Sequence, residues 1–126
     1  MNDENEENDT ILVIDDEPDL LSLVERILEP EGFNVLTAVN GKYGLNLVQQ
    51  TDPDLILLDI MMSGPSGLAI LPEIRKSSNA PVIIITGRRD TESMEQAFSS
   101  GADDYIMKPF RSAELVARIK SKLRRI

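Results

Sequence analysis

Four short, almost wholly apolar runs constrain this chain more than any other feature: Ile11 to Ile14, Val35 to Val39, Leu55 to Leu58, and Val82 to Ile85. They are β-branched or leucine-rich and lack polar alternation, so they fit strands buried on both faces, as in a parallel sheet covered by helices above and below. A weaker fifth run, Tyr105 to Met107, fits an edge strand. Between the runs, apolar residues recur at helical spacing, most clearly Leu20, Val24, Ile27 and Leu28, then Leu68, Leu71 and Ile74, then Leu115, Ile119 and Leu123. Strand and helix alternate five times. Such alternation with short connections implies parallel strands joined by right-handed crossovers, hence an α/β sandwich of three layers.

Local punctuation agrees with these boundaries. Pro18 suits the first turn of a helix, and Gly32 and Gly101 stand where helices should stop. Asp90 and Ser112 fall near two helix starts, where short polar side chains cap free amides. Pro72 falls inside the third helix, where it removes a donor and crowds the carbonyl of Leu68, so a kink or a late start is expected there. The sequence has no internal repeat, low-complexity tract or linker after residue 10. One domain over residues 10–126 is therefore expected, preceded by an acidic, mobile tail over residues 1–9.

Composition removes several chemistries. Without cysteine there is no disulfide or thiolate metal site, and without histidine there is no imidazole base, imidazole-bound zinc or phosphohistidine in this chain. A net charge of −9 argues against nucleic-acid contact by this domain itself, because phosphate binding needs clustered Lys and Arg. Much of that charge sits in Asp3, Glu4, Glu6, Glu7 and Asp9, so the rest is only mildly acidic. No apolar run approaches the ~20 residues of a membrane-spanning helix, and a cytoplasmic protein is expected.

In an open parallel sheet, ligands bind beyond the carboxyl ends of the strands, where the strand order reverses. The first run is followed by Asp15, Asp16 and Glu17, the third by Asp59, the fourth by Thr86 and Gly87, and the fifth by Lys108 and Pro109. Each residue taken singly is an ordinary cap, turn residue or surface charge. Together they gather carboxylates, a hydroxyl and an ammonium at one end of the sheet. Crowded carboxylates either take up protons or bind a hard cation through oxygen, and magnesium suits one or two carboxylates plus a phosphate.

Four ordered stretches, ILVIDD (Ile11 to Asp16), DLILLDIMM (Asp54 to Met62), PVIIIT (Pro81 to Thr86) and GADDYIMKPF (Gly101 to Phe110), resemble the receiver domain of two-component response regulators. The resemblance runs from about Thr10 to Ile126 and implies a flavodoxin-like, doubly wound sheet of five parallel strands in the order 2-1-3-4-5. It implies that Asp59 is the phosphoacceptor, served by a sensor histidine kinase or a small phosphodonor. It further implies that Asp15, Asp16, Asp59 and the Met61 carbonyl hold Mg2+, and that Lys108 and Thr86 contact the phosphoryl group. Thr86 and Tyr105 would form the two-state switch, the Lys108–Pro109 bond would be cis, and Gly87 would allow close approach to the phosphoryl group. Met61 and Arg88 would flank the path of attacking water. Such a domain is a signalling module, not an enzyme, and supports only its own phosphorylation and dephosphorylation.

The C-terminal stretch, Lys108 to Ile126, resembles receivers that precede a winged-helix DNA-binding domain and dimerise through the fourth helix, fifth strand and fifth helix. That class implies charge pairs across the interface, here Asp104 with Arg118 and Asp103 with Arg125. A third pair would need a basic residue opposite Glu114, but Met94 stands there. In the loop after Asp59, Ser63, Pro65 and Ser66 depart from the common family residues, which should alter loop rigidity more than chemistry.

Rival readings fit less well. A haloacid-dehalogenase enzyme needs a second aspartate two residues after its nucleophile, whereas Asp15 and Asp16 are adjacent. A flavin carrier would need a Ser-, Thr- and Gly-rich phosphate loop where Asp15, Asp16 and Glu17 would repel phosphate. A receiver-like interaction module that takes no phosphate, and a stand-alone phosphorelay receiver, are alternatives the residues leave open.

Overall fold

Every apolar run becomes a strand of one parallel sheet in the order β2-β1-β3-β4-β5. The computed structural model describes residues 8–62, 66–87 and 91–124. The strands are β1 (Thr10–Ile14), β2 (Asn34–Ala38), β3 (Leu55–Leu58), β4 (Val82–Thr86) and β5 (Asp104–Met107). The helices are α1 (Pro18–Leu28), α2 (Gly41–Thr51), α3 (Gly67–Ser77), α4 (Thr91–Ser99) and α5 (Ser112–Leu123), with a 3-10 turn at Glu29–Glu31.

Alternate strand residues feed two cores. Ile11, Val13, Leu55, Leu57, Ile83 and Ile85 pack with Leu21, Val24 and Leu28 of α1 and Leu115 and Ile119 of α5. Leu12, Ile14, Ile56, Leu58, Val82 and Ile84 pack on the other face with Val48 of α2, Ile70, Leu71 and Ile74 of α3, and Ala97 of α4. Burying one such side chain contributes about 1.5–3 kcal/mol, so the central strands anchor the fold. β1, β3 and β4 are buried almost throughout, as continuous apolar runs predict. β2 differs: it starts and ends one residue earlier than its run, and only Ala38 is buried, because the strand lies at the sheet edge.

Helix punctuation is partly as expected. Pro18 opens α1, and Gly32 (φ 96°) and Gly101 (φ 116°) take the left-handed backbone that ends helices. Ser112 is not the cap of α5 but its first helical residue, and Arg111 holds the cap position without a side-chain bond. Side-chain caps come instead from Asn40, whose oxygen accepts from the Tyr43 amide at 2.8 Å, and Ser66, which accepts from the Ala69 amide at 3.4 Å. α3 is continuous through Pro72 and starts at Gly67, so no late start occurs. The expectations for the tail up to Glu7, and those placed on Ser63, Pro65, Arg88, Asp90 and Arg125, lie outside the described residues.

Candidate functional site

The strand order reverses at β1, which lies between β2 and β3. Ile14 and Leu58 are register partners, so the residues that follow them, Asp15 and Asp59, leave the sheet side by side. The backbone carries this placement further: the Asp15 amide donates to the Ala38 carbonyl and the Asp59 amide to the Ile14 carbonyl, both at 3.0 Å.

Both carboxylates are buried, and each has its oxygens divided between a backbone amide and Lys108. Asp15 Oδ1 accepts from the Glu17 amide at 2.9 Å, and Asp59 Oδ1 accepts from the Met61 amide at 2.9 Å. Lys108 Nζ donates to Asp15 Oδ2 at 3.1 Å, to Asp59 Oδ2 at 3.2 Å and to Glu17 Oε1 at 3.1 Å. An ammonium has three N–H groups, so these bonds occupy all of them. Lys108 reaches this position because its own amide donates to the Thr86 carbonyl at 2.8 Å, tying the end of β5 to the end of β4.

Half-buried Asp16 completes a triad with Asp15 and Asp59 in which one carboxylate oxygen from each lies within 4.8 Å of the others. The donor set is all hard oxygen and anionic, which fits Mg2+ and excludes a soft-metal site. Burial pushes the Asp15 carboxyl up to about 6, with the charge of Asp59 adding to it, while the Glu17 amide and Lys108 pull the other way. For Lys108, burial alone favours the neutral amine. The hydrogen bond to Asp15, the charges of Asp59 and Asp15, and the hydrogen bond to Glu17 overcome it, and the ammonium is held well above its ordinary range.

Thr86 is fully buried at the end of β4, and Tyr105 is buried in β5 with its ring centroid 6.4 Å from that of exposed Phe98. Thr86 pairs with Met107 and Ile84 with Tyr105 in the parallel register, so Thr86 and Tyr105 share a sheet face. The Met61 side chain is exposed beside the site. The Lys108–Pro109 peptide is cis, as the resemblance implies.

Of the expected interface charges, Asp103, Asp104 and Arg118 lie elsewhere and have partners within the chain. Arg118 Nη1 donates to both oxygens of Asp104, at 2.9 and 3.1 Å, and its Nε lies 3.4 Å from Glu114. Asp103 Oδ2 accepts from Arg75 and from the Val82 amide, both at 2.8 Å.

Two contributors escape sequence reasoning. Glu17 was legible only as a third acid after β1, with no sign that it reaches Lys108. Gly67, the first residue of α3, lies so close to Asp59 that an added Cβ would overlap the Asp59 carbonyl oxygen and stand 2.7 Å from the Ile60 Cα. A glycine just past a cap serine is a weak signal for so close an approach.

A doubly wound parallel sheet with three carboxylates and a lysine at its switch point is the layout of a receiver. The profile of the response regulator receiver domain matches residues 11–120. The chain belongs to that family: it is a receiver domain of two-component response regulators. It is 41% identical over 115 residues to the DNA-binding response regulator MtrA of Mycolicibacterium smegmatis, covering 91% of this chain and 50% of that protein. It is 42% identical over 120 residues to the transcriptional regulatory protein YvrH of Bacillus subtilis, covering 94% and 51%. The chain thus spans about half the length of these relatives. A two-component response regulator from Clostridium difficile superposes with a TM-score of 0.91 at 30% identity, covering 94% of this chain and 98% of that one. No helix among the described residues is long and apolar enough to cross a membrane.

Proposed function

We propose that this receiver accepts a phosphoryl group on Asp59 from the phosphohistidine of a sensor kinase. The observation that carries the reading is the Lys108 ammonium, hydrogen-bonded at once to Asp59 and Asp15 beside an all-oxygen triad. A carboxylate oxygen of Asp59 attacks phosphorus, the bond to the donor breaks, and its electron pair leaves with the imidazole. Little covalent work falls to the protein in such a transfer, so positioning and charge neutralisation dominate. Lys108 turns from the Asp59 oxygen to a phosphoryl oxygen, and the Thr86 hydroxyl donates to another. Asp15, Asp16, Asp59 and the Met61 carbonyl would hold Mg2+. When bound, that ion neutralises charge on the phosphoryl oxygens.

The switch follows from the same reading. Movement of Thr86 toward the phosphoryl group is felt by Tyr105 on the same sheet face and so by the surface of α4, β5 and α5. Two phosphorylated copies then pair over this surface, with Asp104 and Arg118 exchanging partners between copies. The second pair, Asp103 with Arg125, is the weaker contributor, because Asp103 would have to leave Arg75. By analogy with DNA-binding MtrA and the transcriptional regulatory protein YvrH, output would be transcriptional through a separate DNA-binding domain, the acidic receiver itself making no DNA contact.

Incubation with acetyl phosphate and Mg2+ tests the proposal by intact mass. The expected result is a gain of one phosphoryl group that Asp59→Asn abolishes. An unmodified wild-type chain, or a variant that gains the group equally, refutes it.

A further inference from the structure

Lys108 has one partner that neither the proposed metal site nor the phosphoryl acceptor accounts for. The Glu17 carboxylate lies 3.1 Å from its ammonium, and the Glu17 backbone amide meanwhile holds Asp15 Oδ1 at 2.9 Å. One residue therefore touches both buried Asp15 and half-buried Lys108 from the solvent side. Glu17 occupies the cap position of α1, yet its side chain makes no cap bond, because it is turned toward Lys108.

On the reading that Asp59 accepts phosphate, we propose that Glu17 is a positioning residue that holds the Lys108 ammonium in place over Asp59. The other two partners of Lys108 change during the reaction: the Asp59 charge passes to the phosphoryl oxygens, and Asp15 is needed for the metal. Glu17 is consumed by neither and remains the constant partner. A lysine stem is rich in rotamer freedom, and an oxygen fixed to one N–H aims the other two. The Glu17 side chain is 64% exposed, so the pair adds little to folding. Its effect therefore falls on the rate of phosphoryl transfer.

Time courses of mass gain with acetyl phosphate and Mg2+ test this, run across donor concentrations on wild type, Glu17→Ala and Glu17→Gln. Glu17→Ala is expected to lower the maximal rate about two- to fivefold, the range an exposed pair supports, with an unchanged urea midpoint. Glu17→Gln retains an oxygen that accepts from Lys108 and is expected to recover most of the rate. An unchanged maximal rate in Glu17→Ala, an effect confined to the donor concentration at half-maximal rate, or equal losses in both variants overturns the assignment. A wild type that gains no phosphoryl group overturns the receiver chemistry on which it rests, a distinct result.

Discussion

Arg75 and Asp103 are joined at 2.8 Å across the amino ends of β4 and β5, at the end of the sheet opposite Asp59. The pair is the centre of a larger clasp. Arg75 Nε and Nη2 donate to the Gly101 carbonyl at 3.1 and 2.7 Å, and Nη1 donates to the carbonyls of Ser78 and Ala80 at 3.3 and 2.6 Å. With Asp103, all five guanidinium N–H groups are used. Gly101 is required twice over, by its positive φ and because a Cβ there would stand 2.9 Å from Arg75 Nε.

Arg75→Ala should therefore destabilise the domain by about 2–4 kcal/mol, since several carbonyls and a carboxylate lose their partner together. The urea midpoint measures this. Asp103→Asn should lower stability yet leave association with beryllofluoride nearly unchanged, whereas Arg118→Glu should weaken that association. Sedimentation velocity separates the two, and a strong association defect in Asp103→Asn would make that residue a principal rather than a weaker contributor to the interface.

The pH dependence of metal-free stability should bear the mark of Asp15. Its folded value of about 6 lies above the ordinary aspartate value of 3.8, so between those limits the folded state keeps a proton the unfolded chain has lost. Stability from this group therefore falls as pH rises through that window, by on the order of 2–3 kcal/mol, and is lost above it. Asp15→Asn should flatten the profile and raise metal-free stability at neutral pH, read by urea unfolding in chelator at a series of pH values.

Chelation should matter for the same reason. A cation that binds only the folded triad stabilises by about 2.7 kcal/mol at a hundredfold excess over its dissociation constant. Thermal unfolding with Mg2+ and with chelator should differ for wild type and much less for Asp16→Asn. An equal Mg2+ shift in that variant would remove Asp16 from the ligand set.

Gly67→Ala should damage the site through the backbone. The new methyl would press on the Asp59 carbonyl, a strain of about 1–3 kcal/mol, and displace the acceptor from Lys108. Urea unfolding and the rate of phosphoryl gain should both decline, while Gly87, with open space at its Cβ position, should accept alanine with no comparable loss of stability.

Strand identity and the residues at the strand ends were legible because both are local: an unbroken apolar run such as Leu55 to Leu58 reports burial on both faces, and Asp59 simply follows it. The family motifs carried the order of the sheet, and with it the adjacency of Asp15 and Asp59. Tertiary structure alone decided what lies between elements distant in sequence. Lys108 meets Glu17 across 91 positions, and Arg75 reaches Gly101 across 26. Such contacts depend on how helices and loops pack against the finished sheet. No periodicity along the chain encodes that geometry.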